Sequence, residues 1–224
     1  MGTMTTPEEI TPTAKLIREA VRPFKQLTRK ISGKSRNRMQ AGSSSARSSR
    51  YAGMEFHPQD CTVEPEGLPL IQALVRESKA YAGPIIEVGV LLGITTTEMS
   101  LVKSDDQLII GVDNFCWNPW GLTPDVHHAL CKQVLHYLIK TGDVELLCAD
   151  KNEFFASYDG PAPSMVFLDA MHDYEETKKD IEWAQRVGAK IIAGHDYCEQ
   201  WPGVIQVVNE FGGPRQLAGT VWAL

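Results

Sequence analysis

Two short strings in the C-terminal third carry the side chains best suited to chemistry: FLDAMHDY at residues 167–174 and AGHDY at 193–197. Each closes an apolar run, so each is read as the carboxyl tip of a strand, with Asp169 and His172 on one tip and His195 and Asp196 on the next. Two carboxylates and two imidazoles in one place can do either of two jobs. Asp169 and Asp196, with His195 beside them, can hold a divalent ion that bridges a substrate hydroxyl and lowers its pKa. Alternatively, His172 or His195 removes the hydroxyl proton directly as the oxygen attacks, a task imidazole suits near neutral pH. Asp169 is a catalytic candidate on either account.

The elements that must position these tips are legible upstream. Residues 85–90 form a short, β-branched apolar run, the pattern of a strand buried on both faces. The string EVGVLLG, from Glu87 through Gly89 to Gly93, follows its start, and a helical pattern covers 95–103. A second apolar strand at 108–112 is closed by Asp113. A β-turn-α-β unit with glycines in its first turn and an acid at its second strand tip binds nucleotide-like ligands. The glycines allow close approach of the backbone, and Asp113 can accept from both ribose hydroxyls. Glu87 stands where a dinucleotide fingerprint has its first glycine, so a carboxylate occupies the place a diphosphate would need.

The rest of the chain alternates in the same way. A helix is predicted over 68–82, with Leu70, Ile71, Leu74, Val75, Ser78 and Tyr81 inward and Gly83-Pro84 ending it. After Asp113 comes an aromatic loop whose Trp117 and Trp120 are candidates for lining a cofactor or acceptor pocket. A helix over 125–140 is predicted to turn Ala129, Leu130, Val134, Leu135 and Leu138 inward; His127, His128 and His136 on it receive no role. Strands follow at 144–149, ended by Asp150, and at 164–168, then a helix at 173–187 with Asp173 and Glu176 in capping-box spacing. A strand at 190–193, a helix at 204–211 and a closing pair at 215–218 and 220–224 complete the pattern. The expected fold is α/β: a Rossmann-like, doubly wound, mostly parallel sheet with an antiparallel last strand.

Charge divides the 224 residues unevenly. Residues 1–50 hold eleven Lys/Arg against three Glu, a balance of +8, and the remainder hold eleven against twenty-five Asp/Glu, a balance of −14. We read residues 1–50 as a basic, partly disordered arm, with a proline-interrupted amphipathic helix at 13–31, and residues 51–224 as the working domain. The acidic body argues against a nucleic-acid partner. No apolar run is long enough to span a membrane and the N-terminus lacks a secretory h-region. Five scattered cysteines without C-x-x-C spacing fit a reducing, cytoplasmic setting.

The E-x-G-x-x-x-G turn with its Asp-ended second strand resembles class I S-adenosylmethionine (SAM)-dependent methyltransferases. The paired tips, Asp-x-x-His-x-Tyr and Gly-His-Asp-Tyr, resemble the branch related to macrolide-sugar O-methyltransferases and the cephalosporin-pathway proteins similar to them. The resemblance covers residues 84–224. It implies that Glu87, Gly89 and Gly93 line the methionine side of SAM, that Asp113 holds the ribose, and that Asp150 lies near the adenine amino group. It also implies O-methylation of a hydroxyl on a small-molecule acceptor such as a sugar or natural-product scaffold, with a divalent metal, Mg²⁺ or another ion, on Asp169, His195 and Asp196. Relatives carry an acid where His195 stands, and that departure counts against hard Mg²⁺ and leaves a softer ion or none. A nicotinamide-dependent oxidoreductase and a non-catalytic SAM-binding scaffold are the rival readings; an acceptor nitrogen or carboxylate is a narrower one. A homo-oligomer is compatible with all of them.

Overall fold

In a computed structural model the described residues are 63–224; the basic arm, the helix expected at 13–31 and Cys61 lie outside them. The centre is built by strands buried on both faces and apolar but for Glu87 and the closing Asp113: β1 Ile85–Val88, β2 Ile109–Asp113 and β4 Met165–Leu168. β3 Val144–Cys148 flanks β2, and β5 Ile192–Gly194 flanks β4. The order is β3-β2-β1-β4-β5-β7-β6, where β6 is Gln216–Ala218 and β7 is Val221–Ala223. β1 to β5 run parallel, while β7 runs antiparallel to β5 and to β6. The expected doubly wound sheet with an antiparallel last strand is therefore the observed one.

Alternation along each strand splits the core in two. Ile86, Val88, Ile110, Val112, Val166 and Leu168 pack on one side with residues from α5 Lys151–Ser157, α6 Tyr174–Arg186 and α7 Pro202–Glu210. Ile85, Ile109, Met165 and Phe167 pack on the other with α1 Leu68–Ser78, α2 Ile94–Ser100 and α3 Pro124–Val134. Because the five central strands are parallel, every strand tip named above reaches one edge. The order in which strands are added reverses between β1 and β4, and open α/β sheets take ligands at such a switch point.

Several local expectations needed correction. The helix expected over 125–140 breaks at Leu135 into α3 and a short α4, His136–Thr141. Its buried stripe is His127, Cys131 and Leu135, while Ala129, Leu130 and Val134 are exposed. Treating His127 as polar rotated the predicted face. In fact its ring packs edge-on against Phe115, and its Nδ1 lies 3.3 Å from the Phe115 carbonyl. Tyr81, predicted inward, is exposed because α1 ends three residues earlier. Helix α5 went unpredicted, being only two turns long. No helix among the described residues is long and apolar enough to cross a membrane.

An ion pair ties α5 to α6. Lys151 Nζ bonds Asp180, whose side chain is buried, and lies 3.0 Å from Glu176. Burial pushes Asp180 up to about 6 despite the ammonium beside it. The folded chain thus holds this proton more tightly than the unfolded one, so Asp180 contributes stability below about pH 4 that is lost as pH rises through about 6. Lys151→Met should destabilise the protein by roughly 3 kcal/mol at pH 8, where it strands a buried carboxylate, and by less at pH 5. Urea unfolding at the two pH values checks this; equal losses would contradict it.

Candidate active site

The turn after β1 is held by Asp113. Its Oδ2 accepts from the backbone N–H of Val90 (2.8 Å) and Leu91 (2.9 Å), and its Oδ1 accepts from Phe115 (2.6 Å). Leu91 and Phe115 adopt left-handed backbone conformations, φ +50° and +57°, which L-residues seldom occupy. Among the described residues Asp196 is the other non-glycine case, at φ +63°. All three follow strand tips at the same edge, where strained backbone commonly marks function. Asp113 therefore spends most of its acceptor capacity on the chain itself; of about four lone-pair sites on a carboxylate, one remains for a ligand hydroxyl.

The glycines also answer to the fold. A Cβ on Gly89 (φ +90°) would sit 2.1 Å from the Asp169 carbonyl oxygen, and one on Gly93 (φ +81°) 2.7 Å from the Leu135 side chain. Gly89 is thus required by the packing of the β1 tip on the β4 tip. Glu87 is 1% exposed beneath α2. Its Oε2 accepts from the Thr96 hydroxyl, while Oε1 is buried without a hydrogen-bond partner among the described residues. Burial holds this carboxyl well above the usual range. An orphaned buried oxygen beside the glycine turn is the kind of group a ligand donor satisfies.

Asp150 is exposed and caps α5, its Oδ1 accepting from Asn152 and Glu153 N–H. The other carboxylate oxygen takes no part in that cap. Of the two tryptophans, Trp120 is half-buried against His127. Trp117 is 70% exposed on the rim.

The two tips from β4 and β5 converge as the sequence implied. His195 Nδ1 lies 3.4 Å from Asp169 Oδ1 and 3.4 Å from Asp196 Oδ2, and His172 Nδ1 lies 3.1 Å from Asp196 Oδ2. One ligand atom each from Asp169, His195 and Asp196 falls within 4.8 Å of the others, a spacing a single cation can span. Burial raises Asp169 above its ordinary value. For His195, burial alone would lower the imidazole, but hydrogen bonds to Asp169 and Asp196 outweigh it and hold it up at about 11. That ring carries a positive charge at neutral pH unless a cation displaces its proton.

Sequence reasoning missed two partners. Glu64 Oε2 lies 2.8 Å from His195 Nε2, from 131 residues away in the chain. Trp201 packs on His172, ring centroids 4.7 Å apart. Neither has a sequence signal, since both depend on loops meeting over the sheet edge. By contrast, the predicted capping box is half formed: Asp173 accepts from Glu176 N–H, but the Glu176 carboxylate turns to Lys151 and Lys179.

No family model matches the sequence, and no curated protein does. Solved structures do. A calicheamicin methyltransferase, CalS11, aligns over 100% of this chain and 98% of its own at 17% identity, TM-score 0.57. The O-methyltransferase TomG of Streptomyces achromogenes, involved in tomaymycin synthesis and solved with SAM, aligns over 91% and 77% at 15% identity, TM-score 0.53. A Bacillus cereus O-methyltransferase solved with SAH aligns over 84% and 83% at 16%, TM-score 0.52. The chain has the class I methyltransferase fold. At such identities the likeness carries fold, and the site's chemistry rests on its own residues.

Proposed function

We propose that the protein is a SAM-dependent methyltransferase acting on a hydroxyl of a small molecule, a sugar or natural-product scaffold. The observation that carries this reading is the meeting of Asp169, His172, His195 and Asp196 beside the glycine turn, at the edge where the fold takes its ligands. When bound, SAM supplies an electrophilic methyl group and a neutral thioether leaving group. Glu87 Oε1 would accept from its ammonium, Gly89 and Gly93 shape the turn beneath it, Asp113 takes a ribose hydroxyl and Asp150 the adenine amino group.

His172 serves as the general base. Asp196 accepts from its Nδ1–H, which leaves Nε2 as the basic nitrogen facing outward to the acceptor hydroxyl. His195, held protonated by its two acids, is the poorer base, and it would ligate a cation only by giving up that proton. Asp169, His195 and Asp196 would hold a divalent ion, whose contribution is to acidify the acceptor hydroxyl. Trp117 and Met171, both exposed on strand-tip loops, offer apolar contact to the acceptor.

The test is calorimetric titration with SAM, repeated after EDTA and again with metal restored. Micromolar binding in the wild type, weakened about tenfold or more in Glu87→Ala through loss of a charge-assisted hydrogen bond, is the expected result. Absence of binding to correctly folded protein, with or without metal, would sink the reading.

A further inference from the structure

His195 is fixed from both ends. Its backbone N–H donates to the Leu168 carbonyl at 3.1 Å, and its carbonyl accepts from Trp222 Nε1 at 2.9 Å. Its ring lies between two acids on the Nδ1 side and Glu64 on the Nε2 side. Glu64 is itself anchored, its Oε1 accepting from Thr220 N–H (3.2 Å) and Thr220 Oγ1 (2.6 Å). An ionised carboxylate can only accept, so the Nε2 that faces it must carry hydrogen. Asp169 and Asp196 hold a proton on Nδ1 in the same way, so when a cation displaces that proton, Glu64 keeps hydrogen on Nε2 and the neutral ring presents its Nδ1 lone pair to the space bounded by the two acids.

We propose that Glu64 is a positioning residue that fixes this tautomer, so that His195 enters the acidic cluster as a nitrogen ligand and the site selects an imidazole-binding divalent ion over Mg²⁺. This rests on the reading above for what the site does, and on Glu64, His195 and Thr220 for how it is built. A carboxylate behind a metal-binding histidine raises its basicity and orients its ring, and removing such a partner typically weakens metal affinity 10–100-fold. Nitrogen in the donor set favours ions later in the first transition row, while Mg²⁺ keeps to oxygen. Glu64 lies in the segment before α1, on the far side of the sheet order from β2 and β3, so the choice of ion would be set from outside the SAM-binding half.

The experiment titrates Co²⁺ into metal-stripped full-length protein, followed by its visible ligand-field absorption and by calorimetry, with Mg²⁺ as competitor and SAM titrated in parallel samples. The wild type should bind Co²⁺ with a nitrogen-containing spectrum that excess Mg²⁺ does not displace. Glu64→Ala should lose affinity about 10–100-fold. Glu64→Gln, which still accepts from Nε2–H but carries no charge, should fall between the two. Thr220→Val, which removes the shorter of the two hydrogen bonds that anchor Glu64 and leaves its charge in place, should lose a smaller part of that affinity than Glu64→Ala. Thermal melting of each variant separates loss of the ligand from loss of the fold. Wild-type Co²⁺ affinity in both Glu64 variants overturns the proposal, as does a wild type that binds SAM but no Co²⁺. Failure of SAM to bind, with Co²⁺ behaving as stated, would instead remove the methyltransferase reading and leave the metal assignment standing.

Discussion

His172→Ala should lower kcat by about 10²–10⁴-fold with SAM affinity nearly unchanged. The expectation follows from what holds the ring. Asp196 lies 3.1 Å from Nδ1 and Trp201 packs against one side, so the imidazole is oriented before any acceptor arrives. A pre-oriented base contributes both proton transfer and the placement of the attacking oxygen. In free-energy terms a thousandfold loss is about 4 kcal/mol of the barrier. The variant's rate should recover as pH rises, because an acceptor hydroxyl that ionises in solution no longer needs a base. Conversion of SAM to its thioether product, measured across pH with a panel of hydroxylated acceptors, reads both effects. Wild-type kcat in the alanine variant would move the base to another residue. Asp196→Asn offers a second view, since an amide at that position can turn the ring to its other tautomer; because Asp196 would also hold the cation, a rate loss that persists against the wild type after EDTA, with SAM affinity intact, would support the same arrangement.

The fold was legible because its signals are local and redundant. Each central strand is a short, mostly apolar run, and each is closed within two residues by a polar or glycine residue that marks the tip. The convergence of Asp169 with His195 was legible for the same reason: parallel neighbours put their tips at one edge. What failed to show was anything settled by packing across elements. The face of α3 was missed because His127 behaves there as a flat apolar ring on Phe115. The need for glycine at position 89 looked like a ligand requirement, whereas the nearest obstacle is the Asp169 carbonyl. Asp113 looked free to hold a ribose, but three backbone N–H groups reach it first. Glu64, separated by 131 residues from the histidine it holds, carries no pattern that a single sequence exposes.

Gly89→Ala should be the most damaging single substitution in the turn, destabilising the protein by at least about 4 kcal/mol, a magnitude reserved for mutations that break packing or backbone geometry. Two costs combine. At φ +90° an alanine is strained whatever surrounds it, and its Cβ would stand 2.1 Å from the Asp169 carbonyl oxygen and 2.5 Å from the carbonyl carbon. Those are backbone atoms at the end of β4, so relief requires parting β1 from β4 or flattening the turn that Asp113 pins. Gly121 supplies the control: its φ is +65° and nothing lies within 4 Å of where a Cβ would sit. Gly121→Ala should therefore cost only about 1–2 kcal/mol for the left-handed conformation. Urea unfolding of the pair separates conformational strain from collision, and a Gly89→Ala protein with the wild-type midpoint would show that the strand tips are not packed as described. The comparison also bears on function. Because Gly89 packs on Asp169, its substitution should disturb SAM binding and the Asp169–His195–Asp196 cluster together, whereas Glu87→Ala should weaken SAM binding and leave that cluster in place. Loss of SAM affinity in a Gly89 variant is thus no measure of contact with the cofactor, and Glu87 is the residue on which that question turns.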